Sequence, residues 1–285
     1  MEIERIVVIG AGTMGHGIAG QAALQGFDVC LVDVDEGRVK AGLEAIAGVH
    51  LKGVARGKVL AADADAARSR LRGATDLAGA VAEADLVVEA APESLDLKKA
   101  LFRTAEAHAP ARCILATNTS SLPITEIAAA TACPDRVIGM HFFNPVAVMQ
   151  LLELVRGEST SEATVAAARA VGERLGKTCI VVNDHPGFAT SRLGITLGNE
   201  AMRMFEEGVA SAEDIDRAMV LGYRHPIGPL ALTDLVGLDV RLAITEHLYR
   251  EIGSDTFRPP RVLRRLVRAG HLGRKTGRGF YTYEG

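Results

Sequence analysis

The groups in this sequence best placed to move a proton are a histidine and a glutamate, each at or inside an apolar run. His141 closes Val137-Ile138-Gly139-Met140, so its imidazole belongs at the carboxyl end of a strand. Glu153, twelve residues on, interrupts Leu151-Leu152-Glu153-Leu154-Val155. Imidazole changes charge near neutral pH, and a carboxylate on its second nitrogen would orient it and favour its protonated form. That makes a candidate general acid/base pair. Taken alone, the two are more simply read as a packed strand-end histidine and an unrelated glutamate; the rest of the chain reverses that reading.

A second kind of chemistry is written at the start. Gly10-Ala11-Gly12-Thr13-Met14-Gly15 follows the apolar run Arg5–Ile9 and leads into a helical stretch. Next comes a second strand, Val29–Val32, ending at Asp33, eighteen residues beyond Gly15. A lone GxGxxG is weak, but strand, glycine loop, helix and acid-tipped strand together are the context that binds a dinucleotide. Gly10 permits the tight turn, Gly12 lets a pyrophosphate reach the backbone, and Gly15 allows close helix packing. The helix N-terminus supplies N–H donors and a positive dipole end. Asp33 would accept bonds from the ribose hydroxyls and repel a 2′-phosphate, so NAD is expected as cofactor over NADP.

The elements that must position these groups alternate. Strands are expected at Leu86–Glu89, Cys113–Ala116, Arg136–Met140, Leu151–Val155 and Cys179–Val182, with helices at Gly37–Lys58, Ser161–Leu175 and after Ser94 and Pro123. Residues Asp63–Ala84 are alanine-rich and charged and read as helix with a turn at Gly73. Such alternation marks an α/β fold with a doubly wound, mostly parallel sheet, whose ligands sit beyond the carboxyl ends of the strands. The glycine loop, Glu93, Ser120 and His141 all fall at that edge. After Pro186 the pattern is helical, at about 187–207, 211–221, 235–251 and 259–270, with a β-like tail at Phe280–Tyr283. Two domains are therefore expected, a Rossmann-type domain over 1–184 and a smaller all-α domain over 185–285.

Bulk composition narrows the class. The 285 residues are 48% apolar and 24% charged with a formal net charge of −3, so no basic stripe points to nucleic acid. Charges or glycines interrupt every apolar run before it reaches membrane-span length. A first strand at about Ile3 leaves no room for a cleaved leader, and four scattered cysteines without CxxC spacing read as reduced core thiols, not metal ligands. The expected location is the cytoplasm. Lys52, Arg56 and Lys58 cluster near the end of the second helix. A solvated basic face is the commoner explanation, and contact with a phosphorylated substrate is the other.

With these residues placed, the chain resembles the L-3-hydroxyacyl-CoA dehydrogenases, near their short, single-function 3-hydroxybutyryl-CoA type. The carriers are residues 10–15, Val-Val-Glu-Ala-Ala-Pro-Glu at 87–93, Asn-Thr-Ser-Ser-Leu at 118–122 and His-Phe-Phe-Asn-Pro at 141–145. Glu153, Pro186-Gly187-Phe188, Met219 to Pro229 and Gly273 to Phe280 extend the match. The resemblance implies reversible, NAD-dependent oxidation of an (S)-3-hydroxyacyl-CoA, with His141 as base and Glu153 steadying the imidazolium. It further implies that Ser120 bonds the reacting oxygen and that Asn118 and Asn144 line the nicotinamide. Glu93, Lys98 and, in the helical domain, Lys275 match cofactor-contacting positions. The helical domain is implied to form a homodimer, and its apolar residues outnumber what one modest core requires. One departure stands out: where the family carries Asn-Arg after Pro-Gly-Phe, this chain has Thr190-Ser191-Arg192. Ser191 is either a shortened donor to the substrate or a helix-surface hydroxyl. Two rivals stay open, a same-fold dehydrogenase of a small hydroxy acid without CoA and a non-catalytic dinucleotide-binding protein.

Overall fold

The computed structural model describes residues 3–284. The chain divides into two compact units, Met1–His185 and Pro186–Gly285.

The first unit is built on short, β-branched apolar runs, which favour buried strands. They are β1 (Arg5–Ile9), β2 (Asp28–Val32), β3 (Leu71–Ala74), β4 (Leu86–Glu89), β5 (Ile114–Thr117), β6 (Val137–Phe142), β7 (Leu151–Arg156) and β8 (Thr178–Asn183). They form one eight-stranded sheet in the order β3-β2-β1-β4-β5-β6-β7-β8. Every adjacent pair is parallel except β6 and β7. Chain order reverses direction at β1 and β4, which opens the crevice where such sheets bind ligands. The connecting helices are α1 (Thr13–Leu24), α2 (Glu36–Ala55), α3 (Ala61–Ser69), α4 (Leu77–Val81), α5 (Leu95–His108), α6 (Ile124–Ala128) and α7 (Glu162–Arg174). Asp35, Asp76 and Ser161 cap α2, α4 and α7 by accepting from backbone N–H groups. Ser94 holds the N-cap position of α5, but its side chain makes no capping bond.

Two expectations fail locally. Asp63–Ala84 is not one helix turning at Gly73: α3 gives way to β3, and Gly73 lies within that strand. Leu-Arg-Gly-Ala carries no strand-like run, yet it pairs with β2 at the edge of the sheet. A Cβ at Gly73 would come within 2.3 Å of Val39 Cγ1, so glycine lets α2 pack over the strand. The Phe280–Tyr283 tail forms no strand, only an isolated bridge from Arg278 to Thr282. Asp234, 1% exposed, holds it by accepting from Phe280 N, Tyr281 N and the Tyr283 hydroxyl.

The second unit holds α8 (Thr190–Glu206), α9 (Ala212–Gly222), α10 (Pro229–Val236), α11 (Leu238–Ile252) and α12 (Arg261–Arg268). The sequence pattern left 229–234 unassigned and read one helix from about 235 through Gly237, so it missed α10. That glycine has φ +102° and divides two helices with no spacer. Asp216 of α9 caps α10 from outside, accepting from Leu230 N at 2.8 Å and Ala231 N at 2.9 Å. Met202, Ile215, Leu230, Leu238, Val262 and Leu263 pack its core.

Among the described residues all four cysteines are free thiols. Burial pushes Cys113 up to about 12 and Cys133 up to about 11, and it also raises Cys30 and Cys179. No described helix is long and apolar enough to cross a membrane, and no cluster of three or more described His, Cys, Asp or Glu side chains suits a metal.

Asp85, 6% exposed, ties β1 to β4 by accepting from Glu4 N, Arg5 N and Arg112 Nη2. Burial raises its pKa, but these donors outweigh burial and the net shift is downward. A depressed carboxyl pKa stabilises the fold above the unfolded value and loses that stabilisation as pH falls through the folded one. Asp85→Asn should therefore cost about 2 kcal/mol at pH 7, the scale of charge-assisted bonds. The penalty should shrink as the pH drops below about 4. Urea unfolding of both proteins across that range checks it; a penalty independent of pH contradicts it.

Candidate active site

Strand pairing sets the central geometry. In the antiparallel β6/β7 ladder His141 lies directly opposite Glu153, so both side chains leave the same face of the sheet. His141 Nδ1 is 2.7 Å from Glu153 Oε2, at 7% and 0% residue exposure. A ring nitrogen this close to a carboxylate carries the proton and donates it, which fixes tautomer and ring plane. The Phe143 ring packs against the imidazole, with centroids 4.5 Å apart. The two residues weighed first in the sequence are thus in contact, away from bulk water.

The glycine loop lies at the same carboxyl edge. Gly10 has φ +99°, and a Cβ there would sit 2.7 Å from Ala90 O. A Cβ at Gly15 would overlap Gly10 O at 1.7 Å, so any side chain would force α1 off the loop. Gly12 differs: nothing lies within 4 Å of its would-be Cβ. Space over Gly12, together with an α1 N-terminus that no side chain caps, suits an incoming pyrophosphate. Thr13 is exposed and Met14 half-buried there. Asp33 Oδ2 accepts from Ala11 N at 2.7 Å and Oδ1 from Val34 N at 2.7 Å. Asp33 therefore holds the loop, and each of its oxygens keeps a lone pair for a further donor. These residues fit NAD.

A buried charge network supports the serine loop. Glu89 and Lys98 are 0% and 1% exposed, with Lys98 Nζ 2.8 Å from both glutamate oxygens. Thr117 donates to Glu89 Oε2 at 2.7 Å, and Ala91 N to Oε1 at 2.6 Å. Lys98 also lies 3.4 Å from Glu93 Oε2. Glu93 Oε1 accepts from Thr119 Oγ1 at 2.5 Å, Ser120 N at 3.2 Å and Ser121 Oγ at 3.3 Å. Lys98 is thus spent on protein carboxylates, and the half-exposed Glu93 shapes the Ser120 loop. Sequence reasoning assigned no role to Glu89, Thr117 or Thr119. The available signal was an acid ending an apolar strand, nine residues before a lysine.

Asn118 Oδ1 accepts from Phe142 N at 2.9 Å, which joins the Ser120 loop to the residue after His141. Asn144 is exposed and precedes a cis peptide bond to Pro145. It lines a cavity of about 70 Å³ with Thr13, His16, Gly17 and Val146. A larger cavity of about 860 Å³ between α2, α3 and β3 shares no lining residue with the His141–Glu153 pair. Lys52, Arg56 and Lys58 are exposed around the C-terminal end of α2. In the second unit Ser191 is half-buried in the first turn of α8, and Lys275 Nζ lies 2.6 Å from both Asp239 oxygens.

If Asp33 both braces the loop and takes the ribose, Asp33→Ala should weaken NADH binding at least about tenfold, roughly the worth of one charge-assisted bond. NADPH binding should fall less, narrowing the preference. Fluorescence titration with both coenzymes checks this; equal affinity of the parent protein for the two would overturn the assignment.

Residues 5–185 match the family profile described as 3-hydroxyacyl-CoA dehydrogenase, NAD binding domain, and residues 187–283 match that of the C-terminal domain. The probable 3-hydroxybutyryl-CoA dehydrogenase of Bacillus subtilis is 47% identical over 284 residues, covering 100% of this chain and 99% of the relative. The 3-hydroxybutyryl-CoA dehydrogenase of Bradyrhizobium diazoefficiens is 44% identical, covering 99% and 96%. The crystal structure of the (S)-3-hydroxybutyryl-CoA dehydrogenase of Ralstonia eutropha superposes with a TM-score of 0.95 at 44% identity, over 100% of both chains. Glycine loop, acid-tipped second strand, opposed histidine and glutamate, and helical second unit are thus found together in a chain that belongs to the 3-hydroxyacyl-CoA dehydrogenase family.

Proposed function

We propose that this protein oxidises (S)-3-hydroxybutyryl-CoA to acetoacetyl-CoA reversibly, using the His141–Glu153 pair as its acid/base. The observation that carries this reading is the 2.7 Å contact between those buried side chains on the sheet edge that also holds the glycine loop. Bound NAD supplies the hydride acceptor. His141, with Nδ1 held by Glu153, takes the hydroxyl proton at Nε2, and Glu153 stabilises the imidazolium that results. In the reverse direction the same imidazolium returns the proton. Ser120 donates to the oxygen on which charge develops, the placement that favours the transition state over the ground state. Glu93, anchored by Lys98, sets the position of that serine beside the coenzyme. Asn118, its oxygen engaged by Phe142 N, keeps an amide donor for the nicotinamide side, which Asn144 also lines.

The substrate's CoA portion suits the exposed Lys52, Arg56 and Lys58, and the names of the relatives above favour a four-carbon acyl group. By family resemblance alone, Ser191 and Lys275 of the helical unit are assigned to substrate and coenzyme respectively. The unit's apolar positions divide clearly: Ile195, Met202 and Leu238 are at most 1% exposed, whereas Leu193, Leu235, Val236 and Val240 are 71%, 52%, 41% and 42% exposed. Apolar surface of that kind supports a homodimer through this unit. Free thiols with raised pKa values suit the reducing cytoplasm.

Following NADH absorbance with acetoacetyl-CoA and with free acetoacetate tests the substrate. Rapid turnover of the thioester alone is expected, and preference for the free acid would support the rival small-acid reading. His141→Gln should lower kcat by about a hundred- to ten-thousand-fold, the range for removing a general acid/base, with NADH affinity near normal. Glu153→Gln should be milder. Because the pair acts as a unit, the double variant should cost scarcely more than His141→Gln alone. Penalties that multiply would separate the two residues.

A further inference from the structure

Lys177 is a buried cation that the proposed reaction does not use. It follows Gly176, whose φ of +75° ends α7, with Gly176 N donating to Glu173 O and Lys177 N to Gly172 O, both at 2.9 Å. This left-handed helix end reverses the chain and delivers the lysine under the neighbouring connection. That connection, residues 143–150, runs from β6 to β7 and so from His141 to Glu153. Pro145 O accepts from both Val148 N and Met149 N, which makes residues 145–149 a compact turn. Lys177 Nζ donates to Val146 O and, at 2.9 Å, to Met149 O. The residue is 8% exposed, and no carboxylate pairs with it among the described residues. Burial pushes its pKa down, as expected of an ammonium whose only compensation is carbonyl dipoles.

Burying an unpaired ammonium is costly, and a hydrogen-bonded amide or an apolar side chain would avoid that cost. What the cation gains is grip on two carbonyls of one turn. Val146, between them, is 3% exposed and packs against α1, where a Cβ at Gly17 would meet its Cγ2 at 2.9 Å. The turn is therefore clamped from one side by Lys177 and seated on α1 from the other. Asn144, directly before it, lines one cavity with Thr13 of the α1 N-terminus.

We propose that Lys177 is a positioning residue: its ammonium fixes the 145–149 turn, and through it sets Asn144 at the coenzyme end of α1. This rests on the acid/base reading above, and the test separates the two. Lys177→Met should make the amides of residues 146–150 exchange hydrogen at least about tenfold faster by mass spectrometry, while the cores of β6 and β7 stay protected. With acetoacetyl-CoA and NADH, kcat should fall about tenfold or more and NADH binding should weaken, with KM for acetoacetyl-CoA within about twofold. Lys177→Arg, which keeps a cation able to donate to two carbonyls, should restore most of both. Asn144→Ala placed on Lys177→Met should add little, because both changes act through one element. Unchanged exchange in the turn, or penalties of the two substitutions that multiply, would overturn the proposal. If Lys177→Met does not fold, Lys177→Gln carries the same measurements. The exchange experiment needs no turnover, so a parent enzyme inactive on acetoacetyl-CoA would fail the functional reading while still deciding the role of Lys177.

Discussion

The arrangement depends on the antiparallel pairing of β6 and β7 inside a sheet whose other neighbours run parallel. In this ladder Gly139 faces Val155, Met140 faces Leu154, His141 faces Glu153 and Phe142 faces Leu152. Side chains alternate faces, so a slip of one residue would turn Glu153 away from the ring and bring a leucine toward it. The slip is resisted on the opposite face, where Met140, Leu152 and Leu154 are fully buried in the main core. The register of the hydrophobic core and the register that sets His141 opposite Glu153 are thus the same constraint. Taking the carboxylate out of water would cost several kcal/mol if it were unpaired, on the order expected for a buried ion, so the pair is also mutually dependent for stability.

The parallel part of the sheet brings the other groups to that edge. Ile9 pairs with Glu89 and Glu89 with Thr117, so three successive strands end level with one another. The first of these ends opens into the glycine loop, the second places a buried acid, and the third places a hydroxyl. Lys98 satisfies Glu89 and reaches Glu93, and Glu93 gathers the Ser120 loop. A chain of charge-assisted contacts from the sheet interior to an exposed loop is what lets a short loop hold a donor in fixed position.

What the sequence made legible followed from period and punctuation. Continuous apolar runs gave seven of the strands, and the glycine loop was identified by the strand and helix around it. The histidine and glutamate could be singled out because each breaks or ends such a run. Three features were not readable. β3 consists of Leu-Arg-Gly-Ala and exists because β2 offers an open edge, so its signal lies in the partner strand and not in its own residues. α10 ends at Val236 and α11 begins at Leu238, and the positive φ of the single residue between them, Gly237, is what divides them. Glu89 and Thr117 look like ordinary strand-end residues until tertiary packing closes them into a buried cluster with Lys98, whose partners are these protein groups and not the coenzyme the resemblance implies. The tail at 280–283 misled for a related reason, since its aromatic alternation serves two buried aspartates, Asp234 and Asp216, instead of a ladder.

In the proposed mechanism one imidazole, steadied by one carboxylate, accepts the proton in oxidation and returns it in reduction. Single-turnover rates of hydride transfer, measured in both directions across a range of pH, test this directly. Mirror-image behaviour is predicted: oxidation quickens as pH rises because the neutral ring is required, and reduction slows over the same interval because the imidazolium is required. Rates that share one direction of pH dependence, or that ignore pH in both directions, would contradict it.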